Sequence, residues 1–146
     1  MRDLQPRQDG TFCSAFEIPY DVIDANGHVN NVAYVQCMQD IAIRHSDAVG
    51  GTRAMHEAGA TWVARSHKIE YLAPAFAGDR VEIVTWVATI RRVKSLRRYR
   101  FVRTSDETLL ARGETAWVFV NPTTGRPAAI PESVKDCFTI VQDPDT

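Results

Sequence analysis

The residues with the clearest capacity for chemistry lie together in one short segment, DANGHVNNVAY, at residues 24–34. It holds a carboxylate, an imidazole and three amide side chains in eleven positions. A positioned carboxylate can act as a general base or as a nucleophile. The free backbone N–H groups at the start of a helix can stabilise a developing negative charge. The segment therefore offers Asp24 as the base or nucleophile, and the N–H groups around Asn30 and Asn31 as a site for an oxyanion.

The same residues also suit a loop that only turns the chain. Asp24 and Asn26 can make local turns through their side chains, and Asn30 or Asn31 can cap a helix. His28 would then be a surface residue of the turn. The residue types alone leave both interpretations open.

The composition limits the class of protein. The chain has 146 residues, of which 45% are hydrophobic, and a net charge of −1. This predicts one globular domain over 1–146, with its core at about 11–122, and no general attraction to nucleic acid or membrane. The absence of a signal-peptide pattern and of long apolar runs favours a cytoplasmic protein. The cysteines are three in number, widely spaced and without CxxC, which indicates reduced thiols and no metal site.

The polar loop leads directly into a predicted amphipathic helix over residues 31–49. This stretch has no Gly or Pro, and its side chains at helical spacing form one mainly apolar stripe. Gly50 and Gly51 end the pattern, and a shorter helical piece is predicted around residues 53–59. The stripe comprises Tyr34, Met38, Ile41, Ala42, His45 and Val49.

Predicted strands occupy most of the remaining chain. Residues 12–22 have the composition of a strand, and Pro19 within them suits an edge or an end. The short connections between the later strands favour an antiparallel meander. A sheet that is large enough to curl around one apolar helix predicts an α+β fold. The later strands are predicted at 61–72, 79–93, 96–104 and 109–120, with a short helical turn at 131–138.

With this order of elements, the loop resembles the signature of a known family. The pattern D-x-x-G-H-V-N-N-x-x-Y before a central helix is similar to that of the hotdog-fold acyl-thioester hydrolases of the 4-hydroxybenzoyl-CoA thioesterase type. The resemblance implies a single hotdog domain, in which a curved antiparallel sheet wraps a long central helix. It also implies an acyl-CoA thioesterase with no metal or organic cofactor. The matching residues are Asp24, Gly27, His28, Val29, Asn30, Asn31 and Tyr34.

The resemblance assigns expected roles within the motif. Asp24 would attack the thioester carbonyl or activate a water, and the sequence leaves both routes open. The N–H of Asn31, seven residues later, would hold the carbonyl oxygen. The spacing of Asp24, Asn26 and His28 is similar to the D-x-N-x-H arrangement of plant fatty-acyl carrier-protein thioesterases. This implies auxiliary roles, with His28 positioning water or substrate and Asn26 orienting a polar group. The substrate-binding residues of the motif are expected to be Gly27, Val29, Asn30 and Tyr34.

Two other carboxylates compete with Asp24 for the catalytic role. Asp40 lies about 120° from the apolar stripe of the helix and four residues before Arg44, so it is interpreted as a solvated surface residue. Glu70 could reach the loop as a second acid or could point outward from its strand. The alternation of side chains along a strand favours the outward position.

A basic stretch, RRVKSLRRYRFVR, occupies residues 91–103 and holds seven of the seventeen cations. Its tyrosine and phenylalanine could stack on nucleic-acid bases, but the near-neutral net charge argues against such binding. In the family that the loop resembles, cations at this place bind the nucleotide phosphates of coenzyme A. The resemblance therefore implies that Arg91, Arg92 and Lys94 bind these phosphates. An acyl carrier protein would suit the same patch.

The same resemblance implies a homodimer or a homotetramer. In hotdog dimers the open sheet edges of two chains meet, and each site uses residues of both chains. Two alternative functions on this fold remain. One is a hydratase or dehydratase, whose pattern S-G-D-x-N-P-x-H contains a Pro that is missing here. The other is an acyl-CoA-binding protein without turnover.

Overall fold

The computed structural model of the chain describes residues 6–142. The predicted helices and later strands are confirmed to within a few residues at their ends. The first strand is shorter than predicted, because it ends before Pro19 and leads into a 3₁₀ turn at Tyr20–Val22. The elements are β1 Phe12–Glu17, α1 Asn31–Ala48, α2 Gly51–Glu57, β2 Thr61–Tyr71, β3 Arg80–Arg91, β4 Lys94–Arg103, β5 Thr108–Val120 and α3 Glu132–Lys135.

The five strands form one antiparallel sheet in the order β1-β3-β4-β5-β2. The predicted α+β class is confirmed, as is the meander of β3, β4 and β5. The prediction of a meander was wrong for β2. This strand pairs with β5 at an edge of the sheet and not with β3. The connection at 72–79 is longer than a hairpin loop of two to five residues, and β1 takes the free side of β3.

Helix α1 packs its predicted stripe against the inner face of the sheet. Five of the six predicted residues are buried, and Val49 at the end of the helix is half-buried. A Cβ atom at Gly113 of β5 would lie 2.9 Å from the Sδ of Met38, so this close approach requires glycine. No helix within residues 6–142 combines the length and the apolar character needed to cross a membrane. The buried residues of the stripe are Tyr34, Met38, Ile41, Ala42 and His45.

The segment after β5 also packs against the core. Ile130 and Val134 are buried in one apolar cluster with Met55 of α2. Further on, the N–H of Val141 donates to the carbonyl oxygen of Val87 at 2.9 Å. The packed core therefore extends beyond the expected boundary near residue 122 and includes this C-terminal segment.

Candidate active site

The polar loop is closed at its base immediately before α1. Ile23 and Val29 form an isolated antiparallel bridge, which brings the two ends of the loop together. Within it, the N–H of Asp24 donates to the carbonyl oxygen of His28 at 2.8 Å. Gly27 has a φ of 79°, a left-handed conformation that favours glycine, and this allows the chain to reverse. The loop therefore holds Asp24 in a fixed position near the start of the helix.

The carboxylate of Asp24 is oriented by the backbone of its own loop. Its Oδ1 accepts hydrogen bonds from the N–H groups of Asn26 at 2.9 Å and His28 at 3.2 Å. Its Oδ2 has no hydrogen-bond partner within residues 6–142. The local turn that the sequence suggested is present, but it uses only one carboxylate oxygen. The other oxygen is available to a water or a substrate.

The start of α1 provides a donor beside this loop. Asn30 caps the helix, since its Oδ1 accepts from the N–H of Val32 at 2.8 Å and its carbonyl oxygen accepts from the N–H of Ala33 at 2.9 Å. The N–H of Asn31 has no hydrogen-bond partner in the described part of the chain. It lies at the positive end of the helix dipole. A carbonyl oxygen that gains negative charge can bind there.

The side chains of Asn26 and His28 are exposed, and they do not hydrogen-bond to Asp24 within the described residues. Only their backbone N–H groups do so. The ring of His28 instead lies edge-on to Phe76, with the ring centres 5.4 Å apart. The structure thus brings the three residues together through the backbone, and the auxiliary roles of the two side chains stay a prediction.

An apolar cavity of about 210 Å³ lies next to the loop. The motif residues Val29 and Tyr34 are buried core residues that line it, as does Ala33. Burial raises the pKa of Tyr34 to about 12, so its hydroxyl stays neutral. Burial, with a smaller contribution from Asp40, raises the pKa of the Cys37 thiol in the lining to about 11. The thiol is therefore protonated near neutral pH and is not an activated nucleophile.

The two competing carboxylates are surface residues, as interpreted from the sequence. Asp40 is exposed, and its Oδ1 accepts from Nε2 of Gln36 at 3.0 Å. Glu70 is exposed on β2, and its Oε1 lies 3.4 Å from Nε of Arg112, directly across on β5. Both side chains have surface partners, which leaves Asp24 as the candidate acid.

The cations Arg91, Arg92 and Lys94 are exposed at the turn between β3 and β4, called here the basic hairpin. This turn lies at one end of β3, whereas the Asp24 loop contacts the segment that precedes Arg80 at the other end. The twelve residues of β3 make eleven steps, which place the two ends about 36 Å apart. Within one chain, the structure does not bring the basic hairpin to Asp24.

Sequence reasoning missed two groups of residues. The cavity beside the loop also takes residues from β1 and β3, including Phe16 and Val81, which no local motif marks. Arg97 was counted with the basic stretch at 91–103 and given no role, yet it is only 4% exposed. The available signal was its position on β4, two residues from Ser95 and from Tyr99, which puts it on the same inward face of the strand as these two residues. No group of three His, Cys, Asp or Glu side chains suited to a metal occurs within residues 6–142.

Comparison with known proteins identifies the family. A model of the thioesterase-like superfamily matches residues 18–138. The acyl-CoA thioester hydrolase YbgC of Escherichia coli is 30% identical over 118 residues, which are 79% of this chain and 86% of that protein. The chain belongs to the thioesterase-like superfamily. The predictions of this family and of a thioester hydrolase are thus confirmed.

Solved structures confirm the hotdog fold. Slr0204 of Synechocystis, a 1,4-dihydroxy-2-naphthoyl-CoA thioesterase, is 18% identical and has a TM-score of 0.78 over 88% of this chain and 95% of its own. SAV2348 of Staphylococcus aureus, solved in complex with CoA, is 17% identical and has a TM-score of 0.79 over 92% of this chain and 90% of its own. At these identities the similarity concerns the fold alone.

Proposed function

We propose that this protein hydrolyses the thioester of an acyl- or aroyl-CoA to the free acid and CoA. The observation that carries the proposal is the N–H of Asn31 at the start of α1, which no group of residues 6–142 accepts from and which lies beside a loop that fixes the carboxylate of Asp24. The similarity to YbgC and to a fold solved with CoA supports CoA as the carrier. The proposed chemistry needs no metal or organic cofactor.

The proposed reaction has two possible routes through Asp24. As a general base, Asp24 takes a proton from a water while the water oxygen attacks the carbonyl carbon. As a nucleophile, Asp24 forms a mixed anhydride with the acyl group, which a water then hydrolyses. In both routes the N–H of Asn31 holds the oxyanion and the C–S bond breaks. The CoA thiolate that leaves takes a proton, from Asp24 in the first route and from solvent in the second, and ends as the thiol.

The apolar cavity beside the loop is proposed to hold the acyl group. Its lining is apolar, and its volume of about 210 Å³ is below the usual range for drug-sized ligands. Val29 and Tyr34 would thus bind substrate through the walls of this cavity. Gly27 and Asn30 would act by shaping the loop and the start of the helix.

Filling this cavity should change the acyl preference. Ala33→Phe puts a ring into the space, so we expect kcat/KM for octanoyl-CoA to fall at least about tenfold while acetyl-CoA is affected much less. Release of free thiol measures both. Ala48→Phe, at an exposed position near the far end of α1, is the matched control. Equal losses on the two substrates would show that the cavity does not hold the acyl chain. A protein that released no thiol from any acyl-CoA would be a hydratase or a binding protein.

The edge strand β2 points to a dimer. It has 11 residues at an edge of the sheet, and its Val63 is 43% exposed. The other edge, β1, has only six residues and ends near Pro19. Long open edges need a partner or a cover. We infer that β2 pairs antiparallel with β2 of a second chain about a two-fold axis.

This pairing would complete the site with the partner's cations. The Tyr71 end of β2 lies beside the start of α1, because the hydroxyl of Tyr71 donates to the carbonyl oxygen of Asn31 at 3.3 Å. The Thr61 end lies near the basic hairpin, because Thr61 pairs with Val120 of β5 and Lys94 pairs with Val118 of the same strand. Antiparallel pairing sets the Thr61 end of one chain beside the Tyr71 end of the other. The partner's basic hairpin would therefore approach Asp24.

Removing these cations should weaken binding of the nucleotide part of CoA. We expect the triple change of Arg91, Arg92 and Lys94 to Ala to raise KM for acyl-CoA about tenfold and to leave a truncated acyl-pantetheine almost unaffected. Steady-state assays at two salt concentrations measure this, since added salt should weaken wild-type binding in the same direction. If the truncated substrate suffers equally, the cations do not bind the nucleotide. A different result is that the triple variant binds acyl-CoA normally and fails to hydrolyse an acyl group on an acyl carrier protein. That result would show that the three cations bind the carrier protein.

A further inference from the structure

A second cavity lies under the C-terminal half of α1, away from the polar loop. Its volume is about 270 Å³, and it is bounded by α1, α2 and the inner face of the sheet. Most of its lining is apolar, including Ile43 at its exposed rim, Met55, Trp62 and Phe138. Asn31 and Ile43 are twelve residues apart on α1, which is about 18 Å along the helix. Within one chain, this cavity is distinct from the one beside Asp24.

The cavity contains one buried cation, Arg97. Its side chain lines the cavity, and the residue is only 4% exposed. Nη1 donates to Nδ1 of His45 at 2.9 Å and to Oγ1 of Thr85 at 3.2 Å. Its Nε and Nη2 have no hydrogen-bond partner within residues 6–142, and no described carboxylate forms an ion pair with it. A buried charge without a counter-ion is unusual in a protein interior.

His45 does not supply the missing negative charge. It is buried and stacked on the ring of Phe12, with the ring centres 5.0 Å apart. Burial, and then the charge of Arg97, lower the pKa of His45 to about 3, so the imidazole is neutral near pH 7. Its Nδ1 therefore accepts from Arg97. Burial lowers the pKa of Arg97 to about 10, so the guanidinium keeps its positive charge.

We propose that this cavity binds a free carboxylic acid with an apolar body. The carboxylate would pair with the free nitrogens of Arg97, and the body would lie against Trp62 and Met55. The pairing would provide the counter-ion that the described residues lack, and the apolar lining would exclude water around it. The proposal does not depend on the catalytic role of Asp24.

Octanoate and 1-octanol form a matched pair of probes for this site, since they share a chain and differ in charge. Titration calorimetry, with the fluorescence of Trp62 and Trp117 in the lining, measures their affinities. We expect octanoate to bind at least about tenfold more tightly than octanol. Equal affinities would overturn the proposal, because they would show binding through the apolar body only. Absence of octanoate binding would overturn the proposal as well. So would displacement of octanoate by inorganic phosphate at equal concentration, because it would show a site for any anion.

Variants locate the binding without relying on one substitution. Arg97→Met should bring the two affinities to within about threefold, and Arg97→Lys should keep the preference for octanoate. Ile43→Trp should block the rim of the cavity and abolish octanoate binding, and it leaves the interior of the fold unchanged. The control variant Ala48→Trp, on the same helix, should bind octanoate as the wild type does. Ala33→Phe, which fills the cavity beside the loop, should leave octanoate affinity unchanged. If Ala33→Phe abolishes binding and Ile43→Trp does not, the acid occupies the other cavity and the proposal is wrong.

Discussion

Asp24→Asn should lower kcat for acyl-CoA hydrolysis by at least about a hundredfold, because the amide can neither take a proton from water nor attack the thioester. The fold should be unaffected. An Asn side chain keeps an Oδ1 that accepts from the N–H groups of Asn26 and His28, so the turn that holds the loop is preserved. The rate of thiol release and the melting temperature together measure the two effects.

Two other carboxylates provide the matched controls. Asp40→Asn and Glu70→Gln make the same chemical change on exposed side chains with surface partners, so turnover should stay within about twofold of wild type. Asp24→Ala should lose turnover and also loosen the loop, since both backbone donors then lose their acceptor. If the Asp24→Asn variant keeps more than a tenth of wild-type turnover, Asp24 is not the catalytic acid.

Local features of the site could be predicted from the sequence because neighbouring residues determine them. Asn30 caps α1 through a hydrogen bond to a residue two positions away. Gly27 supplies the left-handed conformation that the turn needs. The helical spacing of the stripe predicted which side of α1 is buried, and that included His45. Each of these depends on a few consecutive residues or on one helical repeat.

Long-range features could not be predicted in this way. The position of β2 beside β5 depends on pairing between residues far apart in the chain, from Tyr71 with Ala111 to Thr61 with Val120. The basic stretch at 91–103 reads as one group of charges, but the strand separates it by face. Arg97 points inward to His45, whereas Arg98 pairs with Glu114 at 3.3 Å, near the surface of the sheet. Adjacent cations therefore have different environments.

The strongest consequence of the inferred dimer is complementation between two impaired chains. One chain carries Asp24→Asn with an intact basic hairpin, and the other has an intact Asp24 with Arg91, Arg92 and Lys94 changed to Ala. If each site combines Asp24 of one chain with the hairpin of the partner, a mixed dimer contains one fully intact site and one doubly impaired site. If both parts came from the same chain, mixing would restore nothing.

Co-expression of the two chains should therefore restore hydrolysis measured at acyl-CoA concentrations far below KM. Random assembly makes half of the dimers mixed, and one of their two sites is intact, so the rate should reach about a quarter of wild type. The same proteins purified separately and mixed without subunit exchange should give only about a twentieth, from the hairpin variant alone. Sedimentation equilibrium should show at least twice the 16.4 kDa chain mass for every sample. A co-expressed rate equal to the unmixed rate would mean that β2 does not join the two halves of a shared site, and an active monomer would contradict the dimer itself.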